Sequence, residues 1–111
     1  MIPIHDLEGN VVGFTGRLYE ESDNPKYINS KESDVFKKGK ILFNYHRAKN
    51  HVRNNHELII VEGNMDALKL YAAGIKNVIA LMGTALTTDQ VDAIKKMRSK
   101  VILMMTMMTT V

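Results

Sequence analysis

The run Val61-Glu62-Gly63-Asn64-Met65-Asp66-Ala67-Leu68 places two carboxylates four residues apart, with a glycine between them. Glu62 follows the unbroken apolar segment Leu58-Ile59-Ile60-Val61, which reads as a β-strand buried on both faces. A glutamate at the carboxyl end of such a strand stands where open α/β sheets keep their sites. Gly63 lets the chain turn at once, and Asp66 then falls in the first turn of the next helix. Two carboxylates crowded at one point repel and raise each other's pKa unless a cation bridges them. Hard divalent ions such as Mg²⁺ take oxygen ligands of this kind while keeping waters and substrate phosphates. Residue chemistry alone also allows a plainer arrangement, with Asp66 favouring the helix dipole and Glu62 solvated at the strand end.

The elements that must hold these two groups follow from the pattern around them. Met65, Leu68, Leu70, Tyr71 and Ala72 predict a helix that Gly74 ends. A second apolar strand (78–81), a loop at Gly83-Thr84-Ala85 and a helix capped at Thr87 or Thr88 come next; Val91, Ile94 and Met97 recur along that helix at three-residue spacing. Val101-Ile102-Leu103 predicts a third strand. Strand–helix–strand–helix–strand with short loops implies a parallel layer with right-handed crossovers. Upstream, Ile2 and Ile4 with Val11, Val12 and Phe14 flank Asp-Leu-Glu-Gly-Asn, whose Gly9 and Asn10 suit a hairpin turn. Residues 19–40 are polar and read as mostly irregular, before a short apolar run (41–43) and a basic helix at 45–52. The expected class is α/β: an α+β N-terminal part followed by a parallel-sheet α/β unit.

Composition narrows the function classes. The chain has 111 residues, 45% hydrophobic and 24% charged, an ordinary globular mixture. It contains no cysteine, which excludes a disulfide scaffold, a thiolate zinc site and cysteine nucleophiles in this segment. No apolar run approaches the roughly 20 residues that cross a bilayer, and the first ten residues lack the features of a signal peptide, so a cytoplasmic location is expected. Net charge is +3, which permits an anionic partner without requiring one. His46, His51 and His56 are spaced by five residues, which does not place successive members on one helix face, so they are read as packed or solvated and not as a metal site.

Taken together, the strand-Glu-Gly-x-x-Asp-helix run, the next strand with Met82-Gly83-Thr84, and the helix and apolar strand after it resemble the toprim domain shared by primases and topoisomerases. The first half sharpens the match. Gly13-Phe14-Thr15-Gly16-Arg17, Pro25-Lys26-Tyr27-Ile28-Asn29-Ser30 and the segment 36–49 (FKKGKILFNYHRAK) resemble, in order and spacing, the region preceding toprim in bacterial DnaG-type primases.

The resemblance implies a catalytic-core fragment: residues 1–55 as the end of the core's N-terminal subdomain, and 56–111 as a truncated toprim domain. It implies metal-dependent nucleotidyl transfer that makes short RNA primers on single-stranded DNA, with Glu62 catalytic and Glu62 and Asp66 holding Mg²⁺ or Mn²⁺. It further implies that Arg17, Lys26, Tyr27, Asn29 and Lys38 contact template or ribonucleoside triphosphate. The implied partners are those two nucleic-acid species and, through a missing C-terminal region, the replicative helicase; zinc belongs to a missing upstream domain. Each basic residue has its own physical logic. A guanidinium beside Gly16 can grip phosphate bidentately, Lys26 stands beside an aromatic that bases can stack on, and Asn29 and Ser30 can hydrogen-bond phosphate. Another toprim enzyme (a topoisomerase or nuclease) and a non-catalytic nucleic-acid-binding remnant are the alternatives.

The sequence departs from the family after its third strand. A toprim domain continues there with Asp-x-Asp, whereas residues 104–111 read MMTMMTTV and carry no carboxylate. Methionine has one codon and threonine is always ACN, so reading from the third base turns this stretch into Asp-Asp-x-Asp-Asp-x. Residues 104–111 are accordingly expected to follow a frameshift near residue 103 and not to be native toprim sequence. Without the further acidic ligands the chain is expected to be inactive alone, with edge and core surface left uncovered.

Overall fold

The structure is a computed structural model, and it describes residues 2–18, 26–29, 33, 36–82 and 86–104. Ser30, the loop 83–85 and residues 105–111, which the sequence reading singled out, lie outside the described residues.

Strands β1 (Ile2–His5) and β2 (Val11–Leu18) form the expected antiparallel hairpin. Its turn is built by Asp6, whose carboxylate accepts the backbone N–H of Glu8 at 3.0 Å and of Asn10 at 2.9 Å, while Gly9 takes the left-handed φ of 97°. Ile4 pairs with Gly13 but His5 pairs with Val11, so Val12 is an extra residue that bulges β2. Within 19–40, read as mostly irregular, residues 19–25, 30–32 and 34–35 lie outside the described residues, and two short regular elements stand among the rest. Strand β3 (Lys26–Asn29) pairs antiparallel with β2, and a 3₁₀ turn occupies Lys38–Lys40. Four residues between polar neighbours give too short an apolar alternation to reveal a strand; pairing with β2 supplies what propensity does not.

Helix α1 (Tyr45–Asn55) leads into a second sheet of β4 (Glu57–Val61), β5 (Val78–Ala80) and β6 (Lys100–Met104). The strands are parallel in the order β5-β4-β6, with α2 (Asn64–Ala72) and α3 (Thr88–Lys96) as the crossovers. Alternation along the strands divides the core in two. Val61, Val78 and Ala80, with Ile59 half-buried beside them, face α2 through Ala67, whereas Leu58, Ile60 and Ile79 face α1 and α3 through Ala48, Val52 and Ala93. Both faces of β4 are therefore covered, which is why its sequence is a continuous apolar run.

The two sheets share contacts. Ile4 of β1 and Phe36 lie in the same cluster as Val61 and Ala67, and Phe43 makes an antiparallel bridge with Ala80. Edge strand β6 is the exception to this burial. Val101 and Leu103 pair with Leu58 and Ile60 and so share their face, yet they are 42% and 61% exposed.

Candidate nucleotidyl-transfer site

Glu62 is the first residue beyond β4, on the central strand, at the carboxyl edge of the sheet, from which α2 leaves β4 on one face and α3 leaves β5 on the other. This is the topological switch point of the sheet, where two loops diverge and leave a crevice. Gly63 caps α2 in an extended conformation, and Asp66 lies in the helix's first turn. A Cβ added at Gly63 would stand 3.4 Å from Oδ2 of Asp66, so the Asp66 carboxylate is folded back over the turn that carries Glu62. Glu62 is exposed and Asp66 half-buried. The expected arrangement of both acids about one strand–helix turn is present.

Whether this turn suits a divalent cation is decided by its donors and its room. The donors are carboxylate oxygens, hard ligands of the kind Mg²⁺ and Mn²⁺ take, and Gly63 presents no side chain beside the Asp66 carboxylate. Two carboxylates suffice for an ion that keeps most of its waters. Among the described residues no cluster of three acidic, histidine or cysteine side chains forms a complete cage. Gly63 supplies no side-chain cap, so the first N–H groups of α2 face the same rim.

The first sheet reaches this turn through one contact: the Asn64 side-chain amide donates to Oγ1 of Thr15 at 3.3 Å. Thr15 pairs with Asn29 across the strands, and Arg17 pairs with Tyr27, three and one register steps from Lys26. Four of the residues implied to bind nucleic acid thus lie on two neighbouring strands whose register runs to the acidic turn. Lys38 arrives by another route. Its carbonyl accepts the Gln90 side-chain amide at 3.1 Å, and Thr87 donates to the carbonyl of Gly39. Thr87 and Gln90 cap the N-terminus of α3, which starts from the carboxyl end of β5, so the 3₁₀ turn is held on the rim that carries Glu62.

Thr15, Asn64 and Gln90 are the positioning residues that sequence reasoning passed over. For Gln90 a signal existed, since Thr-x-x-Gln at 87–90 spells the capping box that the structure shows. For Thr15 and Asn64, 49 residues apart, no local pattern announces the pair. The histidines divide differently: His5 and His46 pack ring against ring, centroids 4.2 Å apart, at the junction of hairpin and α1.

A parallel β5-β4-β6 sheet with Glu-Gly-x-x-Asp at the central strand's tip defines a toprim protein, and the Toprim domain family matches residues 56–106. Residues 1–49 match the DNA primase catalytic core, N-terminal domain. A DNA primase of Aquifex aeolicus is 48% identical over 101 residues, covering 91% of this chain and 20% of that protein. The solved zinc-binding and RNA polymerase domains of the Aquifex aeolicus primase superpose with a TM-score of 0.84 at 46% identity, covering 94% of this chain and 26% of that one. A DnaG primase catalytic domain bound to single-stranded DNA gives 0.78 at 34% identity, covering 91% and 32%. The chain belongs to the DnaG-type DNA primase family. It spans about a fifth of the length of the Aquifex relative. Among the described residues no helix is long and apolar enough to cross a membrane.

Proposed function

We propose that the chain is a segment of a primase catalytic core that joins ribonucleotides on a single-stranded DNA template. The observation that carries this reading is the placement of Glu62 and Asp66 about Gly63 at the switch point of the sheet. Glu62 and Asp66 are the residues that would hold Mg²⁺ or Mn²⁺; such an ion, when bound, lowers the pKa of a primer 3′-hydroxyl and neutralises phosphate charge. The N-terminus of α2 favours an anionic oxygen of the incoming nucleotide through the helix dipole. Arg17, Lys26, Tyr27 and Asn29, on β2 and β3, offer phosphate and base contacts to the template, as supported by the relative whose catalytic domain binds single-stranded DNA. Lys38, on the same rim, would contact the template or the nucleotide phosphates. The matches run through both halves of the chain to primases, so a topoisomerase or nuclease is not favoured.

Residues 1–55 act here as the end of the core's N-terminal subdomain and 56–111 as toprim. With Asp-x-Asp missing from 104–111, Glu62 and Asp66 cannot form a two-ion clamp, and the 111-residue chain alone makes no primer. The helicase and zinc functions belong to regions of a whole primase.

The reading is tested by grafting residues 2–103 into the corresponding segment of the Aquifex primase and following primer synthesis on a single-stranded template. The graft is expected to be active, with Glu62→Gln reducing turnover at least 100-fold and Asp66→Asn reducing it while raising the Mn²⁺ concentration required. A Glu62→Gln graft with full activity would overturn it.

A further inference from the structure

A second feature lies at the opposite end of the parallel sheet. A cavity of about 250 Å³ is lined by Lys49 and Arg53 of α1, His56 just beyond it, Lys96 at the end of α3, and Arg98. No carboxylate is among its lining residues, and its inner wall is apolar, with Val52 and Met97. His56 precedes β4 and Arg98 shortly precedes β6, so the cavity opens at the amino ends of the strands. Five-residue β4 separates it from Glu62 by about 16 Å.

Three observations argue that this positive cluster is built. Lys49 and Arg53 are spaced by four residues, which aligns them along one face of α1, and His56 follows at the C-cap of that helix. His56 and Arg98 both adopt left-handed backbone, with φ of 57° and 47°, a conformation costing a non-glycine residue about 1 kcal/mol or more. These reversals turn two helices into two adjacent parallel strands, laced where Lys100 N–H donates to the His56 carbonyl at 3.1 Å. Basic residues at helix ends also offset the helix dipole, but two C-termini supply only about half a negative charge each. Lys49, Arg53, Lys96 and Arg98 carry four positive charges, leaving a surplus that an anion can neutralise.

We propose that this cavity is a second phosphate-binding site, separate from the Glu62–Asp66 turn, and that it grips the sugar–phosphate backbone of a nucleic-acid strand. Size and chemistry favour the backbone over a free nucleotide. The volume is below the range of about 300–1,000 Å³ usual for small-molecule pockets, and the lining aromatic, Tyr45, is only 9% exposed with its hydroxyl donated to the Ala93 carbonyl. No open ring is left to stack a base. The cationic side chains are exposed and can follow a strand over the surface.

The test is made on the 111-residue chain in EDTA, so that it is independent of divalent ions at Glu62. Fluorescence anisotropy of a labelled 12-nucleotide oligo(dT) is followed against salt for the wild type, Arg53→Gln/Lys96→Gln, and a Lys69→Gln/Lys76→Gln control that removes the same charge elsewhere. The first variant is expected to flatten the slope of log affinity against log salt by about 1.4, the loss of two single-strand contacts at about 0.7 each, and the control to leave it unchanged. Lys49→Gln, read in the same way with circular dichroism as a check on folding, is expected to flatten it by about 0.7. Equal loss in cavity and control variants, or no loss in either, overturns the site. Inorganic triphosphate that displaces the oligonucleotide, with sensitivity to Arg53→Gln, overturns the assignment to a strand backbone and makes a free polyphosphate the ligand.

Discussion

Asn64, the first residue of α2, donates its side-chain amide to Thr15 in the middle of β2, 3.3 Å away and 49 residues earlier in the chain. One end of this bond lies next to Gly63 and Glu62; the other lies two residues before Arg17, and Thr15 itself pairs with Asn29. Thr15 is 1% exposed. The bond therefore couples the strands implied to hold template to the turn implied to hold metal.

Removing either partner loosens the same element. Thr15→Val keeps shape and burial but strips the acceptor, and Asn64→Ala removes the donor; each is expected to cost about 1 kcal/mol. A double-mutant cycle by urea denaturation should give an interaction energy of at least about 0.5 kcal/mol. Strict additivity would show that the two residues act independently.

How far the fold was readable follows from which elements carry their own signal. Leu58-Ile59-Ile60-Val61 announced itself because both faces of β4 are buried, and the start of α3, read as Thr87 or Thr88, because capping is local chemistry; the structure fixes it at Thr87. The acidic turn was legible for the same reason, since Glu62, Gly63 and Asp66 all fall within five residues. Strand β3 was not, because its four residues owe their extended state to pairing with β2. Arg17 opposite Tyr27, and Lys38 carried to the rim by Gln90, are likewise consequences of long-range contacts that spacing in a sequence does not encode.

Gln90 is 1% exposed and satisfies four partners' needs at once. Its amide nitrogen donates to the carbonyls of Lys38 at 3.1 Å and Ile41 at 2.8 Å, its oxygen accepts the Thr87 N–H at 3.1 Å, and its own N–H donates to the Thr87 hydroxyl at 3.2 Å. Gln90→Ala leaves the buried Ile41 carbonyl and the Thr87 N–H without this partner and takes from the Lys38 carbonyl one of its two donors, and it is expected to destabilise by about 2 kcal/mol. Gln90→Glu should be at least as damaging, because a carboxylate presents only acceptors to those carbonyls. Chemical denaturation of both variants checks this; a Gln90→Glu protein as stable as wild type would refute the bonding pattern.

Acid should loosen the hairpin from α1 before it affects carboxylates. His46 is pushed below the ordinary imidazole value of 6.5 by burial, then by His5, Arg47 and Lys49, with Asp6 opposing. His5 is pushed the same way by burial and then Arg47, again against Asp6. The folded state therefore binds fewer protons than the unfolded chain, so stability is complete above pH 6.5 and declines as pH falls below it toward the folded values. Burial raises Asp6, but hydrogen bonds from Asn10 and Glu8 outweigh this and hold it below 3.8, so its contribution is lost only in that lower range. Thermal melts at pH 7.5 and 5.5 should show a lower midpoint at pH 5.5, and His46→Gln should shrink the difference. A midpoint unchanged between these two values would mean the rings are not neutral partners.

The edge strand β6 sets how the chain behaves at high concentration. It pairs with β4 on one side, and Leu103 and Met104 are 61% and 46% exposed. Val101 and Leu103 continue the face of Leu58 and Ile60 past the cover of α1 and α3, so among the described residues apolar surface and an unpaired ladder edge coincide. That combination favours strand-to-strand association between copies. Leu103→Lys places a charge on this surface, where no buried contact is lost, and is expected to leave thermal stability within about 0.5 kcal/mol while abolishing concentration-dependent self-association. Sedimentation velocity between roughly 10 and 300 μM, a range that spans typical weak association, reads the outcome. Self-association that persists undiminished in Leu103→Lys would place the sticky surface elsewhere on the molecule.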